Sequence, residues 1–350
     1  MAKTWRRYAF LSVGALLSVG FLYLSMRHVR VDDTLTEIAR VPLIAIFLDP
    51  LCRLAAMALA AIRSRLMFGG LHRFRFRTLY ESVWLAFALN NSVPLRAGDL
   101  ARVGFLARYG ELPASSCLAV VAAERILDLL VLVIIVAATV PFLAGDLPLG
   151  SSFYFIAGLV VLSAATGVAI SRRPDLFQRV CSALVRPLGK SVRAFVAQKS
   201  ETFARGLSAL GSASAVLGVM GATFLFWGLS MAAIEVWIWA FDLQVPWFAP
   251  GVVLGFLAFG LAIPSTPGHV GTFHFFASSA VVFLGVADTQ AVSFALVYHA
   301  VAVIPLTVLG LPLLFREYSR LQQRPDERPQ RDETGADPDS TSSDRRDAAG

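Results

Sequence analysis

The sequence predicts an all-α membrane protein, a polytopic helical bundle of about six spanning helices plus two re-entrant helical hairpins. Hydrophobic residues make up 56% of the chain and charged residues only 16%, whereas soluble domains carry roughly 25% charged residues. Several apolar segments reach the roughly 20 residues that a helix needs to cross the hydrocarbon core. No ten-residue stretch alternates in the manner of a lipid-facing β-strand, so we predict helices.

The predicted spanning helices are residues 8–26, 42–62, 115–143, 152–170, 214–241 and 289–315. Basic residues and an apolar run at the amino terminus are typical of a signal peptide. No small-residue cleavage site follows them, so we expect a retained first helix. Cys52, Cys117 and Cys181 have no metal-binding or disulfide spacing, and we expect them to be buried small residues.

The distribution of Lys and Arg predicts the orientation of the chain in the membrane. Residues 63–78, residues 171–211 and both terminal segments are rich in Lys and Arg, whereas residues 144–150 and 242–250 contain neither. Because cytoplasmic loops are enriched in these residues, we predict a multi-pass protein of the cell (plasma) membrane with both termini in the cytoplasm. The formal net charge of +7 therefore indicates orientation, and we expect no nucleic-acid partner.

Residues 79–114 are predicted to form the first hairpin. They lie between a predicted cytoplasmic loop and a helix that already makes the next crossing, so they must return to the side that they left. Arms 83–93 and 100–110 would each give roughly 16 Å of helix, too short to span. The tip would be residues 94–99, and non-helical backbone at that depth must be buried in protein or line a cavity.

A second hairpin is predicted in the carboxyl half. Residues 251–263 and 270–286 are short arms around the sequence PSTPGHVG, and they would enter from the outer face. Two full crossings in place of the hairpin are the alternative. Two Pro- and Gly-broken segments entering from opposite faces indicate a binding site near the membrane midplane.

The remaining segments complete the predicted organisation: residues 1–315 as one transmembrane domain and residues 316–350 as a disordered cytoplasmic tail. The tail is rich in Asp, Arg, Pro, Ser and Gly and almost free of apolar residues, as disordered segments are. Residues 174–210 interleave apolar and basic residues, which predicts a cytoplasmic interfacial helix on the anionic lipids of the inner leaflet. A solvated connector is the alternative.

Charged residues within the apolar segments are the first candidates for a binding site. Glu124, Arg125 and Asp128 lie about one turn apart on one predicted helix, with Asp128 roughly a quarter of the way into the core from the cytoplasmic side. Charge at this depth is costly, so the three side chains must face a polar interior. The alternative is an ion-pair cluster that only orients helices.

The tip of the first hairpin supplies further candidates. Arg96, Gly98 and Asp99 occupy it, and Asp99 would cap the arm that begins at Leu100, creating a helix amino terminus suited to phosphate. The geometry of a turn explains the same residues almost as well. Arg102 would line the returning arm, although reaching toward the headgroups would account for it equally.

Five sequence motifs carry a resemblance to a known family. They are NNSVPLRAGDLAR, VAAERILD, AAIRSRLMFGG, IPSTPGHVGTFH and VYHAVAVIPLTVLG. Together they resemble the lysylphosphatidylglycerol synthase transmembrane-region family of flippase-like integral membrane proteins, over about residues 5–315. The resemblance implies the moving or handling of lipids, such as aminoacylated phospholipids and polyprenyl-linked or hopanoid-type lipids. Family members that synthesise the aminoacyl lipid carry a soluble transferase domain, and we expect no such activity here.

The second hairpin departs from the family pattern. Where the family has PGG, this chain has Pro267, Gly268 and a histidine, and after Gly271 it has His274 in place of a glutamate. On the next helix His299 replaces an arginine. We hypothesise that His274 and His299 face each other and allow a proton-coupled step, since histidine titrates near neutrality. A zinc site that adds His269 is a weaker alternative, because no carboxylate or thiolate lies at ligand spacing.

These features lead to one functional hypothesis and two alternatives. We expect a membrane lipid translocase rather than an enzyme, without cofactor or metal, that handles a phospholipid or a polyprenyl or glycolipid phosphate. The alternatives are a lipid-modifying transferase with Asp99 or Glu124 as base, and a non-catalytic partner of a separate lipid synthase. The predicted substrate-binding residues are Arg96, Gly98, Asp99, Arg102, Glu124, Arg125, Asp128, Pro267, Gly268, Gly271, His274 and His299.

Overall fold

A computed structural model describes residues 16–27, 29–93, 97–143, 173–185, 212–263 and 265–322, with several positions between 194 and 201. Regular structure within these ranges is helical, so the predicted all-α fold is confirmed. The helices are α1 (Leu16–Met26), α2 (Val31–Ala39), α3 (Leu43–Phe68), α4 (Phe76–Ser92), α5 (Ala97–Gly110), α6 (Ala114–Leu143), α7 (Pro174–Leu184), α8 (Ala213–Ala240), α9 (Ala249–Ala262), α10 (Thr272–Phe283) and α11 (Asp288–Gln322).

Four of the described helices, α3, α6, α8 and α11, are long and apolar enough to cross a membrane. They correspond to four of the predicted spans. The predicted span 152–170 lies outside the described residues, and only the α1 part of the span 8–26 is described. α11 continues to Gln322, so the first residues of the predicted tail are helical.

Helix α3 extends six residues beyond its predicted end. Its apolar pattern continues past the basic residues, and Met67 and Phe68 are buried in the core. The prediction that Arg63 lies in a cytoplasmic loop is therefore wrong. Arg63 is part of α3 and its side chain is buried.

Both predicted hairpins have a helix–break–helix form. α4 and α5 have 17 and 14 residues, and α9 and α10 have 14 and 12. At 1.5 Å per residue each helix is at most about 26 Å long, short of the roughly 30 Å hydrocarbon core. The two helices of each pair pack against each other. Their entry from opposite faces of the membrane stays a prediction.

Each hairpin has its own hydrophobic core. One core joins α4 and α5 to α3 and α6, with Leu79, Leu106 and Leu127 fully buried. The other joins α9 and α10 to α11, with Phe294 fully buried. α8 contributes its first half to the first core and its second half, including Trp237, to the second. The fold therefore presents two helical hairpins, each supported by longer helices.

The predicted interfacial segment 174–210 is described in part. α7 covers 11 residues with Asp175 in its first turn, and contact of this segment with the inner leaflet stays a prediction. Among the cysteines, Cys117 is buried, whereas Cys52 and Cys181 are only half-buried. The expectation of burial therefore holds for Cys117 alone.

Candidate functional site

Six charged side chains from three helices converge in what we call the buried ionic cluster. The cluster consists of three arginines and three carboxylates: Arg63 on α3, Asp99 and Arg102 on α5, and Glu124, Arg125 and Asp128 on α6. Formal charges within the cluster therefore cancel. Charges taken out of water need partners of opposite sign and good geometry, and this arrangement supplies them.

Arg102 and Glu124 form the most deeply buried pair of the cluster. The Arg102 side chain is 3% exposed and that of Glu124 is 0% exposed. Nη1 of Arg102 donates to Oε2 of Glu124 over 2.7 Å, and Nη2 donates to Oγ of Ser64 over 2.6 Å. Nε of Arg102 also reaches the hydroxyl of Ser82 on α4 at 3.3 Å. The pair thus connects α3, α4, α5 and α6.

Asp128 bridges the other two arginines of the cluster. Arg63 donates through both of its Nη atoms to Asp128, with the Nη2–Oδ2 distance at 3.2 Å. Oδ2 also accepts from Nη1 of Arg125 at 3.2 Å. Nη1 of Arg63 lies 3.5 Å from the hydroxyl of Thr223 on α8, so the cluster extends to a further spanning helix.

Arg125 is the most exposed cation of the cluster. Its side chain is 47% exposed, and it donates to Asp99 from Nε over 3.1 Å and from Nη2 over 2.8 Å. Together with the bond to Asp128, these contacts use three of the five N–H groups of a guanidinium. No described residue accepts from the other two N–H groups, which makes Arg125 the part of the cluster that can bind a ligand.

The first hairpin closes tightly around Gly98. The backbone N–H of Gly98 donates to Oδ1 of Asn90 over 2.9 Å, and a Cβ at Gly98 would collide with the carbonyl oxygen of Ala86. α5 begins at Ala97 and Asp99 lies in its first turn, so the prediction of Asp99 as the N-cap is wrong. Arg96 lies outside the described residues. Glycine is required at position 98 because the two arms approach each other there.

The second turn, residues 265–271, is held by the two histidines. Nε2 of His299 donates to the carbonyl of Gly268 over 2.7 Å, and Nδ1 of His274 accepts from the backbone N–H of Gly271 over 3.2 Å. A carbonyl only accepts and an amide N–H only donates. His299 therefore carries a proton on Nε2, and His274 carries none on Nδ1.

The two imidazole rings are in contact edge to face, with centroids 4.6 Å apart and planes at 78°. Gly268 and Gly271 have φ angles of 70° and 83°, and His269 has 56°. Such left-handed backbone favours glycine. Pro267 opens the short 3₁₀ helix Pro267–His269. A proton-coupled step at the histidine pair stays a prediction.

The second turn lies next to the carboxyl-terminal end of α4, the first arm of the first hairpin. The 3₁₀ helix of the second turn packs against α4, and a Cβ at Gly268 would lie 3.7 Å from the backbone oxygen of Asn91. Asn91 also donates through Nδ2 to the hydroxyl of Thr307 on α11, over 3.3 Å. The second turn, the end of α4 and α11 therefore meet in one region.

A further ion pair lies near the second turn. Nε of Arg53 donates over 2.8 Å to Oδ2 of Asp49, one turn earlier on α3. The Arg53 guanidinium lies over the ring of Tyr298, 5.4 Å from its centroid. The Asp49 side chain is fully buried, and its Oδ1 has no hydrogen-bond partner in the described part of the chain. The sequence prediction did not include this pair.

Comparison with known families identifies the chain. A family model described as "Lysylphosphatidylglycerol synthase TM region" matches residues 11–310. The chain belongs to this family. It is therefore an integral membrane protein with several spanning helices, in a family whose description refers to an enzyme of lipid synthesis. No curated protein and no solved structure matches the chain.

The structure brings together some predicted site residues and separates others. Asp99, Arg102, Glu124, Arg125 and Asp128 are in the buried ionic cluster. Gly268, Gly271, His274 and His299 form the second turn and its supports. The prediction missed Arg63 and Ser64, although the apolar residues on both sides of them continue the pattern of a buried helix face.

Proposed function

We propose that this protein is a lipid translocase of the plasma membrane, with both termini in the cytoplasm, that moves a phospholipid or a polyprenyl or glycolipid phosphate between leaflets. The observation that carries the proposal is the contact between the two hairpins, in which the 3₁₀ helix of the second turn packs on α4 of the first. Interrupted helices that meet in this way form the substrate sites of many transporters, where free backbone groups bind polar ligands.

The proposed path gives the headgroup polar contacts on the way through an apolar core. Arg125 offers two unused N–H groups to a phosphate, and arginine suits phosphate because its planar fork forms two parallel hydrogen bonds. The second turn offers backbone groups and the two imidazoles. Rocking of one hairpin against the other would expose this region alternately to each leaflet.

The neutrality of the buried ionic cluster supports a transport role over a catalytic one. Glu124 accepts hydrogen bonds from Arg102 and Ser64, so it is committed to holding helices together. A general base must be within hydrogen-bond reach of the proton that it removes. A carboxylate at 0% exposure is inaccessible to a substrate in this arrangement.

A leaflet-exchange assay tests the proposal. Purified protein is reconstituted into vesicles that contain a phospholipid with a fluorescent headgroup, and a membrane-impermeant reductant is added outside. In vesicles with the protein, we expect probe that starts in the inner leaflet to move to the outer leaflet and be reduced there. In vesicles without the protein, only the probe that starts in the outer leaflet should be reduced. The lipid should be recovered chemically unchanged.

Two variants sharpen this assay. Arg125→Gln removes the proposed phosphate contact and should slow exchange, while Arg125→Lys keeps the charge and should slow it less. Release of a modified lipid would instead indicate a transferase. Exchange that appears only after a separate lipid synthase is added would indicate a non-catalytic partner. Absence of exchange for every phosphate-bearing lipid tested would refute the proposal.

A further inference from the structure

An apolar groove of about 750 Å³ runs between α6 and α9. Residues 129–143 and 251–262 supply most of its lining, and Phe276 and Phe283 of α10 contribute as well. Its only polar side chain among the described residues is Thr139. The hydroxyl of Thr139 already donates to a backbone carbonyl within α6 over 2.7 Å. The groove therefore suits a hydrocarbon chain rather than a polar ligand.

Glycines on α9 create the floor of this groove. A Cβ at Gly255 would lie 3.1 Å from Cγ2 of Val136, and a Cβ at Gly251 would lie 2.5 Å from Cγ2 of Thr139. Small residues let two membrane helices approach closely. The bulkier side chains around them, such as Phe259, then stand beside the contact and leave a concave surface.

Arg125 lies at the inner end of the same face of α6. Leu129, Leu132, Val136 and Val140 line the groove and follow Arg125 at spacings of four, seven, eleven and fifteen residues. Residues at such spacings share one side of a helix. Arg125 therefore precedes the groove by about one turn, or roughly 6 Å along the helix axis.

The groove is longer than one leaflet is thick. Residues 129–143 correspond to about 21 Å of helix, compared with roughly 15 Å for half of the hydrocarbon core. A chain lying along the whole groove would pass the midplane of the membrane. Ordinary lipids surrounding a protein keep their chains within their own leaflet, so this path differs from that of the surrounding lipid.

We propose that the groove holds one hydrocarbon chain of a phosphate-bearing membrane lipid whose phosphate lies at Arg125. This inference rests on the proposed translocase function, because it assigns the chain and the headgroup of the same substrate. Lipid tails are as apolar as the groove, so no hydrophobic gain favours the groove over bulk lipid. Selection of the lipid comes from the hydrogen bonds at Arg125, together with packing of the chain.

Photo-crosslinking of the full chain in vesicles tests the groove directly. The probe is phosphatidylglycerol with a diazirine at the end of one acyl chain, in vesicles of phosphatidylcholine and phosphatidylglycerol. Crosslinked residues are mapped by mass spectrometry. We expect labelling concentrated at Val136 and Val140, above that at the exposed residue Ala232 of α8. A diazirine diacylglycerol, which lacks the phosphate, should not show this enrichment.

Matched tryptophan variants separate the groove from the rest of the surface. Ala137 is exposed and lines the groove, whereas Ala232 is also exposed but lines no part of it. Ala137→Trp should reduce groove labelling to the level of the control face, and Ala232→Trp should leave it unchanged. Val133→Trp provides a second groove-filling variant if the first fails to fold, as judged by its thermal unfolding.

The outcomes separate this inference from the proposed function. Uniform labelling of all exposed apolar surfaces would refute the assignment of a lipid chain to the groove, even if leaflet exchange occurs. Labelling that both groove-filling variants leave unchanged would refute it as well. Concentrated labelling that depends on Arg125, in protein that exchanges no lipid, supports the groove and refutes the translocase. Groove labelling equal for the phospholipid and the diacylglycerol overturns the assignment of the phosphate to Arg125.

Discussion

Replacing Glu124 by glutamine should destabilise the protein strongly, because it leaves Arg102 buried without its counter-charge. Glu124 is 0% exposed and accepts from Nη1 of Arg102 over 2.7 Å. Glutamine has almost the same size, so the packing changes little. Its amide would place a donor or a neutral oxygen where a carboxylate now neutralises the guanidinium.

The expected magnitude follows from the burial of the pair. Removing one member of a buried ion pair costs about 3–5 kcal/mol, a large share of the roughly 5–15 kcal/mol that stabilises a folded protein. The control is Asp99→Asn, whose partner Arg125 is 47% exposed and keeps Asp128. Partly exposed pairs contribute about 0–1 kcal/mol, so the control should change stability little.

Unfolding of both variants in the same detergent measures the free energies. A third variant, Glu124→Gln combined with Arg102→Gln, removes the uncompensated charge and should recover part of the lost stability. If Glu124→Gln lowers the free energy of unfolding no more than Asp99→Asn does, the pair is not a buried structural contact. The same conclusion follows if the double variant is no more stable than the single one.

Three further predictions concern the turns of the hairpins. Gly98→Ala should cost about 1–3 kcal/mol of stability through overpacking against the facing carbonyl, whereas Gly104→Ala on the same helix has open space and should be neutral or stabilising. Thermal unfolding compares them. Gly271→Ala should be more destabilising than Gly285→Ala, because both have positive φ but only the former meets facing backbone; equal losses would contradict a steric cause. His299→Leu leaves the carbonyl of Gly268 without its donor, at a cost of about 1–3 kcal/mol of stability. It should also slow leaflet exchange, and an unchanged exchange rate would show that His299 takes no part in transport.

The sequence predicted the fold well because its main signals are local. The length and apolarity of a segment decide whether it can span, and Pro and Gly mark where a helix breaks, so both hairpins could be located. The pattern also placed Glu124, Arg125 and Asp128 on one helix. It did not indicate which helices face one another, and the pairing of Arg102 with Glu124 depends on that.

Two errors of the sequence prediction have physical explanations. Arg63 was assigned to a cytoplasmic loop because five arginines occur within residues 63–78, and the positive-inside rule assigns such clusters to loops. The structure pairs it with Asp128, 65 positions later, and that contact depends on tertiary packing. Arg53 and Asp49 were spaced for an ion pair at i and i+4, so this local signal could have found them. Their proximity to Tyr298 could not be inferred from one sequence.

A phosphate bound at the two remaining N–H groups of Arg125 would add negative charge beside both carboxylates, and this charge should weaken the bond to Asp99 rather than the bond to Asp128. Asp128 also compensates Arg63, so displacing it would leave a second buried charge without a partner. Asp99 pairs with Arg125 and its side chain is 26% exposed, so water can solvate it after displacement. A lipid phosphate would therefore release Asp99, which lies in the first turn of α5 at the tip of the first hairpin.

Loss of a residue that contacts the phosphate would weaken lipid binding, whereas loss of Asp99 should strengthen it. Asp99→Asn removes the competing charge, so Arg125-dependent labelling by the diazirine phosphatidylglycerol should increase. Leaflet exchange should not increase in proportion, because the headgroup would no longer displace a bound carboxylate to loosen the hairpin tip. Glu111→Gln, which removes one negative charge at the far end of the same hairpin arm, is the control and should leave labelling unchanged. Decreased labelling in Asp99→Asn would mean that Asp99 positions Arg125 for the phosphate instead of competing with it.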